Sequence, residues 1–457
     1  MEVKRKAIGL MLDGIIDYRG KTPPKSEAGI PCISAANVKN GRLVMSNPSY
    51  VSRETYESWT TRGFPRPGDV IITTEAPAGE VAAFPGDQTY LLTRRVMALQ
   101  PNPAELDEKF LLYALQTNFI KEELYAVARG TTVPRVLKTD ITDLEIPLPP
   151  LPEQKAIAHI LGTLDDKIEL NRRMNATLEG MAQALFKSWF VDFDPVIDNA
   201  LAAGNPIPDE LAPRAEVRKT ALDNGTIQQG LADHPTLSDP KSFSSAFEYS
   251  DELGWIPEGW EAKSLGDLID IKGGTQPPAS QFKEEPSEGY VRLVQIRDYD
   301  TSNHLTYIPD STKLRKTAPM EIMIGRYGAA VGRILWGLEG AYNVALVRVD
   351  LVDDGLRELI RSYLLTDRFQ NQMQAISGRS AQSGFNKGDI RSFYVCLPKP
   401  DQLKAYEEFC NPIRRNGLHL NRKNATLNKL RDTLLLKLIS GELRLTETEQ
   451  LTKEALA

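Results

Sequence analysis

Two polar loops hold the residues whose types and spacing best suit recognition chemistry. The first runs from Arg129 through Gly130 to Lys138, and the second runs from Gly378 to Lys387. Arginine side chains suit guanine edges and phosphates, and short hydroxyl or amide side chains suit contacts in a duplex groove. The sequence therefore predicts two nucleic-acid-contacting loops, with a solvated loop as the alternative. The predicted contact residues are Arg129, Thr131, Thr132, Arg135, Lys138, Arg379, Ser380, Gln382, Ser383 and Lys387.

Further candidates lie in shorter polar stretches of both halves, and for all of them ordinary surface charge or polarity is an equal alternative. They are Lys21, Thr22, Thr275, Gln276, Arg326 and Tyr327, together with Arg62, Arg66, Lys313, Arg315, Lys316 and Arg333. Among all the candidates, we expect Arg135 and Arg379 to matter most.

Motifs for catalysis and metal binding are incomplete. Residues Gly20-Lys21-Thr22 resemble the end of a phosphate-binding loop, but Ile15 stands where that loop requires glycine. The four histidines lack partners at metal-ligand spacing, and the three cysteines are too few for a disulfide framework. We therefore expect no catalytic centre, no metal and no cofactor in this chain.

The acidity of the chain is local. Its formal net charge is -6, yet residues 191–254 alone hold 4 basic and 12 acidic residues, so the remainder is close to neutral. An acidic total therefore does not exclude a nucleic-acid partner. No stretch approaches the roughly 20 apolar residues that span a bilayer, and the apolar run Ala7–Leu12 is too short for a signal peptide. We expect a soluble, cytoplasmic protein with no membrane contact.

The elements that must position these loops occur twice, in a repeat of about 250 residues. Leu170–Arg172 recurs as Leu420–Arg422, and Asn175–Leu178 recurs as Asn424–Leu427. Upstream, Asp140-Ile141 matches Asp389-Ile390 and Leu148-Pro149 matches Leu397-Pro398, and further back the match thins. Each half thus joins a divergent front to a similar back.

The similar backs carry apolar residues at alternating steps of four and three, which predicts long helices with a heptad seam. The simplest partner of each helix is the other copy in an antiparallel, coiled-coil-like pair, in which Asn171 and Asn424 would fix the register. The alternative is a helix that packs on its own domain. The predicted seam residues are Ile157, Leu161, Leu164, Ile168, Asn171, Leu178, Leu185, Leu420, Asn424, Leu427 and Leu434.

The divergent fronts mix short β-rich runs with helical patterns, which predicts α+β domains with twisted sheets. The fold class is therefore α+β with a pseudo-twofold internal repeat. The predicted organisation is a first domain at 1–150, a first long helix at 151–192, an acidic irregular connector at 193–254, a second domain at 255–398, a second long helix at 399–445 and a tail at 446–457.

Three motifs resemble the specificity subunits of type I restriction-modification systems. They are Leu148–Gln154 before the first long helix, Phe186–Pro195 at its end, and Leu253–Trp260 before the second front. The first half departs from the pattern because it has no counterpart of Leu253–Trp260.

The resemblance implies two target-recognition domains held apart by the helix pair, each reading one half-site of a bipartite, asymmetric DNA target. It also implies that the helices dock two modification subunits, which restriction/translocase subunits join. S-adenosylmethionine, ATP and Mg are then expected on those partners. The competing hypotheses are a non-DNA helical-repeat scaffold and a stand-alone enzyme with an unrecognised site.

Overall fold

The computed structural model describes residues 4–18, 22–39, 41–130, 133–226, 243–301, 304–377, 384–443 and 445–456. The chain forms two compact units. The first is Met1–Arg172 with Arg422–Ala457, and the second is Arg173–Asn421. Each unit therefore combines one divergent front with parts of both long helices.

The front of the first unit is built from short strands and short helices. Its central sheet has four antiparallel strands in the order Leu12–Ile16, Val96–Pro101, Val70–Thr74 and Ala78–Ala83. The other strands are Arg5–Ala7, Ile30–Ile33, Val38–Lys39, Arg42–Leu43, Tyr50–Val51, Leu91–Leu92 and Glu145–Pro147. The α-helices are Arg53–Trp59, Glu108–Gln116, Asn118–Ala126 and Lys138–Thr142.

Both faces of the central sheet in the first unit are covered. All five residues of Val70–Thr74 are buried, and all five are β-branched side chains, which fit a pleated surface. Val70 and Ile72 contribute to the core that contains Phe110, whereas Ile71 contributes to a second core. The alternation of side chains along a strand explains this division.

The front of the second unit repeats the same plan. Its antiparallel central sheet has the strand order Ile269–Gly273, Leu346–Leu351, Ile322–Gly325 and Ile334–Leu335. The other strands are Phe247–Ser250, Gly254–Pro257, Glu261–Ser264, Tyr290–Val294, Tyr307–Pro309, Lys316–Thr317, Gly340–Tyr342 and Tyr394–Leu397. The short α-helices of this front are Leu265–Leu268, Arg357–Leu364, Asp367–Ser377 and Lys387–Ile390. The predicted α+β class with a repeated domain is confirmed.

The similar backs form two helices of 40 residues each, Leu151–Phe190 and Pro400–Ile439. At 1.5 Å per residue, each is about 60 Å long. Within the first unit, Asn171 Nδ2 donates to Asn424 Oδ1 at 2.8 Å. Within the second unit, Asn175 Nδ2 donates to Asn421 Oδ1 at 2.9 Å. Arg431 Nη1 donates to Asp165 Oδ1 at 2.7 Å in the first unit, and Tyr406 OH donates to Ala182 O at 3.3 Å in the second, so the pairing is antiparallel in each unit.

The first long helix also packs on its own domain, so both alternatives left open by the sequence occur together. Leu161 and Leu164 are fully buried in a core that contains Phe110 of the first front. Leu427 and Leu434 of the second long helix lie in that same core.

The connector at 193–254 differs from its prediction as an irregular segment. Residues Asp194–Ala203 and Ala212–Asp223 form α-helices, and Phe247–Ser250 pairs with Gly254–Pro257. Asp194, which is buried, accepts two hydrogen bonds from the Arg214 guanidinium at 2.7 Å. The prediction was wrong over these helices because composition alone does not reveal ion pairs between residues 20 positions apart.

The C-terminal end also differs from its prediction. The second long helix ends at Ile439, and the predicted tail is a further helix, Leu445–Leu456.

Among the described residues, none of the helices combines the length and apolarity that crossing a bilayer requires.

Candidate nucleic-acid interface

In the first unit, the predicted loop is fastened to the central sheet. The backbones of Arg129 and Arg135 exchange two hydrogen bonds of 2.8 Å, which close the loop. Val136 N donates to Thr74 O at 3.0 Å, and Arg135 pairs with Glu75 across an isolated bridge. The loop therefore lies beside the residues that follow the strand Val70–Thr74.

A recess with about 780 Å³ of open space lies at this junction. Glu75, Arg129, Val133 and Arg135 line it. Arg129 is within 3.5 Å of Asp140, whereas the exposed Arg135 guanidinium makes no hydrogen bond or ion pair with any residue that the structure describes. Arg135 is thus available to an external ligand.

In the second unit, the corresponding junction follows the strand Ile322–Gly325. Tyr327 pairs with Gly384 across an isolated bridge, and Arg326 Nε donates to Phe385 O at 3.4 Å. The Arg326 guanidinium lies 5.1 Å from the centroid of the Tyr327 ring. The same topology therefore brings the strand end and the loop before the short helix together in both units.

A second recess, with about 520 Å³ of open space, is strongly basic. Lys272, Arg315, Arg326 and Lys387 line it. Asp270 is the nearby carboxylate, and it pairs with Lys272 and with Lys387. These two lysines hold the pKa of Asp270 at about 2, well below its usual value, so its charge persists at neutral pH. These five side chains together carry three positive charges in excess.

Several other candidates are held by internal partners. Arg333 forms a bidentate pair with Asp300 at 2.6 and 2.9 Å, and Lys316 lies 2.8 Å from Asp310. Arg66 lies 3.6 Å from Asp13. Their charges are already offset within the chain, which favours the surface-charge alternative for them.

The remaining candidates occupy different surroundings. Thr22, Thr275, Gln276 and Lys313 are exposed, Lys138 is half-buried as the first residue of its short helix, and Arg62 donates to Asp17 O at 2.9 Å. The predictions for Lys21, Thr131, Thr132, Arg379, Ser380, Gln382 and Ser383 fall outside the described residues.

Sequence reasoning missed two residues of the recesses. These are Glu75, which follows the strand Val70–Thr74, and Lys272, which lies near the end of the strand Ile269–Gly273. Alignment of the repeat at strand ends, instead of at identical residues, would have drawn attention to Glu75.

The predicted seam residues lie where the helices pair within each unit. Buried members in the first unit are Ile157, Leu161, Leu164, Ile168, Asn171, Asn424, Leu427 and Leu434. In the second unit Leu420 is buried, while Leu178 and Leu185 are half-buried. The role of these residues in docking other subunits stays a prediction.

A family model described as the type I restriction modification DNA specificity domain matches residues 12–180 and, a second time, residues 257–428. Together the matches cover well over half of the chain, and each spans one recognition domain with part of its long helix. The chain belongs to this specificity family. The resemblance stated from the sequence motifs is confirmed.

Relatives in the specificity family match over most of their length. The type I restriction enzyme HindI specificity subunit of Haemophilus influenzae is 27% identical over 402 residues, covering 82% of this chain and 86% of that protein. The MjaIX specificity subunit of Methanocaldococcus jannaschii is 24% identical over 438 residues, covering 92% of this chain and 88% of that protein. The crystal structure of the type I S subunit from M. genitalium is 16% identical with a TM-score of 0.51 over 95% of both chains, which shows the shared fold.

Proposed function

We propose that this chain is the DNA sequence-specificity subunit of a type I restriction-modification complex and that it recognises a bipartite, asymmetric target. One half-site is assigned to each recognition domain. One observation carries the proposal. Each of the two similar domains has a polar recess at the end of the equivalent inner strand of its central sheet. Equivalent positions carry different side chains, Glu75 in one domain and Arg326 in the other, so the two domains differ in how they can contact the duplex.

In this proposal the chain has no catalytic role. S-adenosylmethionine, ATP and Mg²⁺ bind to its partners, which are two modification subunits and the restriction/translocase subunits. The paired helices supply the docking surface, and the exposed side chains of Met174 and Met181 on the first long helix support this assignment. Because its proposed ligand is double-stranded bacterial DNA, the chain acts in the cytoplasm.

Alanine substitution in each recognition loop tests the proposal. In the assembled methyltransferase, Arg135→Ala is expected to weaken methylation through one half-site, and Arg379→Ala through the other. The measurement is a genome-wide map of methylated adenines for the unmodified chain and each variant. A loss of about 1–3 kcal/mol in discrimination is typical of one lost base contact.

Different outcomes separate the hypotheses. Unchanged methylation at the matching half-site would show that the substituted arginine is not a contact. If the assembled, unmodified chain showed no salt-dependent, sequence-selective binding of duplexes, the scaffold alternative would replace the proposal. Turnover by the purified chain alone would instead support the stand-alone enzyme.

A further inference from the structure

The basic recess of the second domain has a more specific assignment, which rests on the proposed function. We infer that Lys272, Arg315, Arg326 and Lys387 bind one backbone phosphate of the target duplex. The site then acts as an anchor that sets the register of the DNA, whereas bases are read beside it. Among the residues that the structure describes, the first domain has no such anchor at the equivalent place.

The charge of the recess suits an anionic ligand. Four cations converge from separate parts of the chain, and Asp270 offsets only one of them. Like charges repel when they are brought together in a concave surface, and a bound anion relieves that repulsion. Among the groups of a DNA duplex, only the phosphates carry a full negative charge.

The donors of the recess are not used up by internal contacts. Arg315 Nη1 donates to Gly273 O at 2.5 Å, and Arg326 Nε donates to Phe385 O at 3.4 Å. Each guanidinium has five N–H donors and each ammonium has three, so most donors have no acceptor among these contacts. Internal contacts at one nitrogen fix each guanidinium, which orders the remaining donors before a ligand binds.

The concave shape favours a phosphate over a base edge. Base edges lie recessed in a groove, so a side chain must project from the protein surface to reach them. Phosphates protrude from the duplex and can enter a recess. Apart from the cations, the recess is lined by Ile271, Gly273 and Val347, which offer no side-chain hydrogen bonds to distinguish one base from another.

Tyr327 lies beside the recess, and its ring is suited to contact a base edge, which the recess itself cannot reach. Its side chain is 42% exposed, and its ring packs against Gly384. A Cβ atom at Gly384 would lie 2.8 Å from Tyr327 Cδ1, so only glycine lets the ring approach this closely. A rigid, exposed aromatic ring next to an anchored phosphate can contact a sugar or a base edge.

The first domain carries the opposite charge at the equivalent position. Glu75 follows the strand Val70–Thr74 as Arg326 follows Ile322–Gly325. Glu75 lies 3.0 Å from Arg95, and it lines the recess together with Arg129 and Arg135. A carboxylate at this place disfavours a phosphate and can accept a hydrogen bond from an amino group of a base.

The salt dependence of DNA binding tests the inference, because it counts the phosphates that are neutralised. The full chain assembled with its modification partner is compared with the double variant Arg315→Gln/Lys387→Gln over a series of salt concentrations. The slope of log K against log salt is expected to become shallower by about 0.9, the contribution of one phosphate. Affinity for cognate and non-cognate duplexes falls by the same factor, and the methylated sequence stays the same.

Matched variants control for charge and folding. Lys263→Gln/Lys404→Gln removes the same charge from exposed ion pairs with Glu261 and Glu408, and it is expected to leave the slope unchanged. Arg315→Lys/Lys387→Arg keeps the charge and is expected to keep the slope. Tyr327→Leu is expected to alter base preference in one half-site without changing the slope.

Two outcomes would overturn the inference. If the double glutamine variant changed the base preference, the recess would be a base reader. If its slope and affinity equalled those of the unmodified assembly, no phosphate would bind there. Failure of the proposed function is distinct, because then the unmodified assembly itself would show no sequence-selective binding.

Discussion

A buried network of charged residues fastens the second long helix within the second unit. Glu358 and Arg361 are fully buried and ion-paired, and Arg414 Nε donates to the second Glu358 oxygen at 3.0 Å. Arg361 Nη2 also donates to Met320 O at 2.7 Å. Because Glu358 faces two cations, its removal takes the ion-pair partner from the fully buried Arg361 and leaves Arg414 only its longer pair with Glu179 at 3.5 Å.

Glu358→Ala should therefore destabilise the chain strongly. We expect the free energy of unfolding to fall by about 3–5 kcal/mol, as for other buried pairs that lose one partner. Urea denaturation followed by circular dichroism measures the change. Glu408→Ala, at an exposed position on the same long helix, is the control and should change stability by less than about 0.5 kcal/mol. Equal effects of the two substitutions would contradict the importance of the buried network.

Glu407 makes this region sensitive to pH. Its carboxylate accepts a hydrogen bond from Glu358 N at 2.6 Å, and burial raises its pKa from 4.5 to about 7. Between these two values the folded state binds more protons than the unfolded state. The stabilising contribution of Glu407 is thus full below pH 4.5 and is lost as the pH rises towards 7.

Glu407→Gln should remove this dependence. We expect the variant to gain stability relative to the unmodified chain as the pH rises from about 5 to about 8. Urea titrations at both pH values measure the difference. Glu408→Gln serves as the matched control and should leave the pH dependence of the unmodified chain intact. Parallel pH profiles for the unmodified chain and Glu407→Gln would refute the assignment.

At the level of residues, the sequence predicted the two polar loops. It did not predict which side chains from distant segments lie next to them. Arg326 and Lys387 were identified as polar residues in polar stretches. Their convergence with Lys272 depends on sheet pairing between distant segments, which local composition does not encode. The bidentate pair of Arg333 with Asp300 is equally non-local, so the sequence could not show that the charge of Arg333 is offset within the chain.

The long helices were predictable because heptad spacing is a local signal over many turns. Their register depends on the buried amides Asn171 and Asn424, which bond at 2.8 Å. Asn424 Nδ2 additionally reaches Ile168 O at 3.4 Å. A polar pair in an apolar seam fixes alignment at a cost in stability.

Substitutions at this pair should therefore be non-additive. Asn171→Leu alone leaves the buried Asn424 Oδ1 without the donor Asn171 Nδ2, so we expect a loss of about 1–3 kcal/mol in unfolding free energy. The double variant Asn171→Leu/Asn424→Leu should recover most of that loss. A double-mutant cycle by denaturation measures the coupling, and additive effects would show that the amides do not interact.

The helices at 194–223 show why the connector prediction failed. Its prolines and glycines suggested irregular structure, yet they mark helix ends. Pro195 and Pro213 lie in the first turns of their helices, where proline is tolerated. Gly204 closes the first of these helices with φ at 72°, a backbone conformation that glycine adopts readily.

For the molecule as a whole, both long helices are divided between the two units. Changing the lengths of these helices therefore tests the proposal of a bipartite target. The unit boundaries fall after Arg172 in one helix and before Arg422 in the other. Insertion of about four residues, one helical turn, at both positions preserves the amide pairs inside each unit.

We expect this double insertion to alter the preferred gap between half-sites or to abolish methylation. Methylome sequencing of cells that express the variant with its partners gives the answer. Insertion in one helix only is the comparison, because it changes the lengths of the paired helices unequally and should impair activity more. An unchanged target sequence in the double insertion would contradict a ruler-like role of the helices.

The discontinuous make-up of the first unit also has a consequence for biosynthesis. Residues 173–421 are contiguous, whereas the core around Leu161 needs Leu427 and Leu434, which emerge from the ribosome only after the entire second unit. Until these leucines are synthesised, the apolar face of the first unit that they cover stays exposed. The second unit can therefore complete its fold before the first unit. A chaperone that binds exposed apolar surface would bind the first unit.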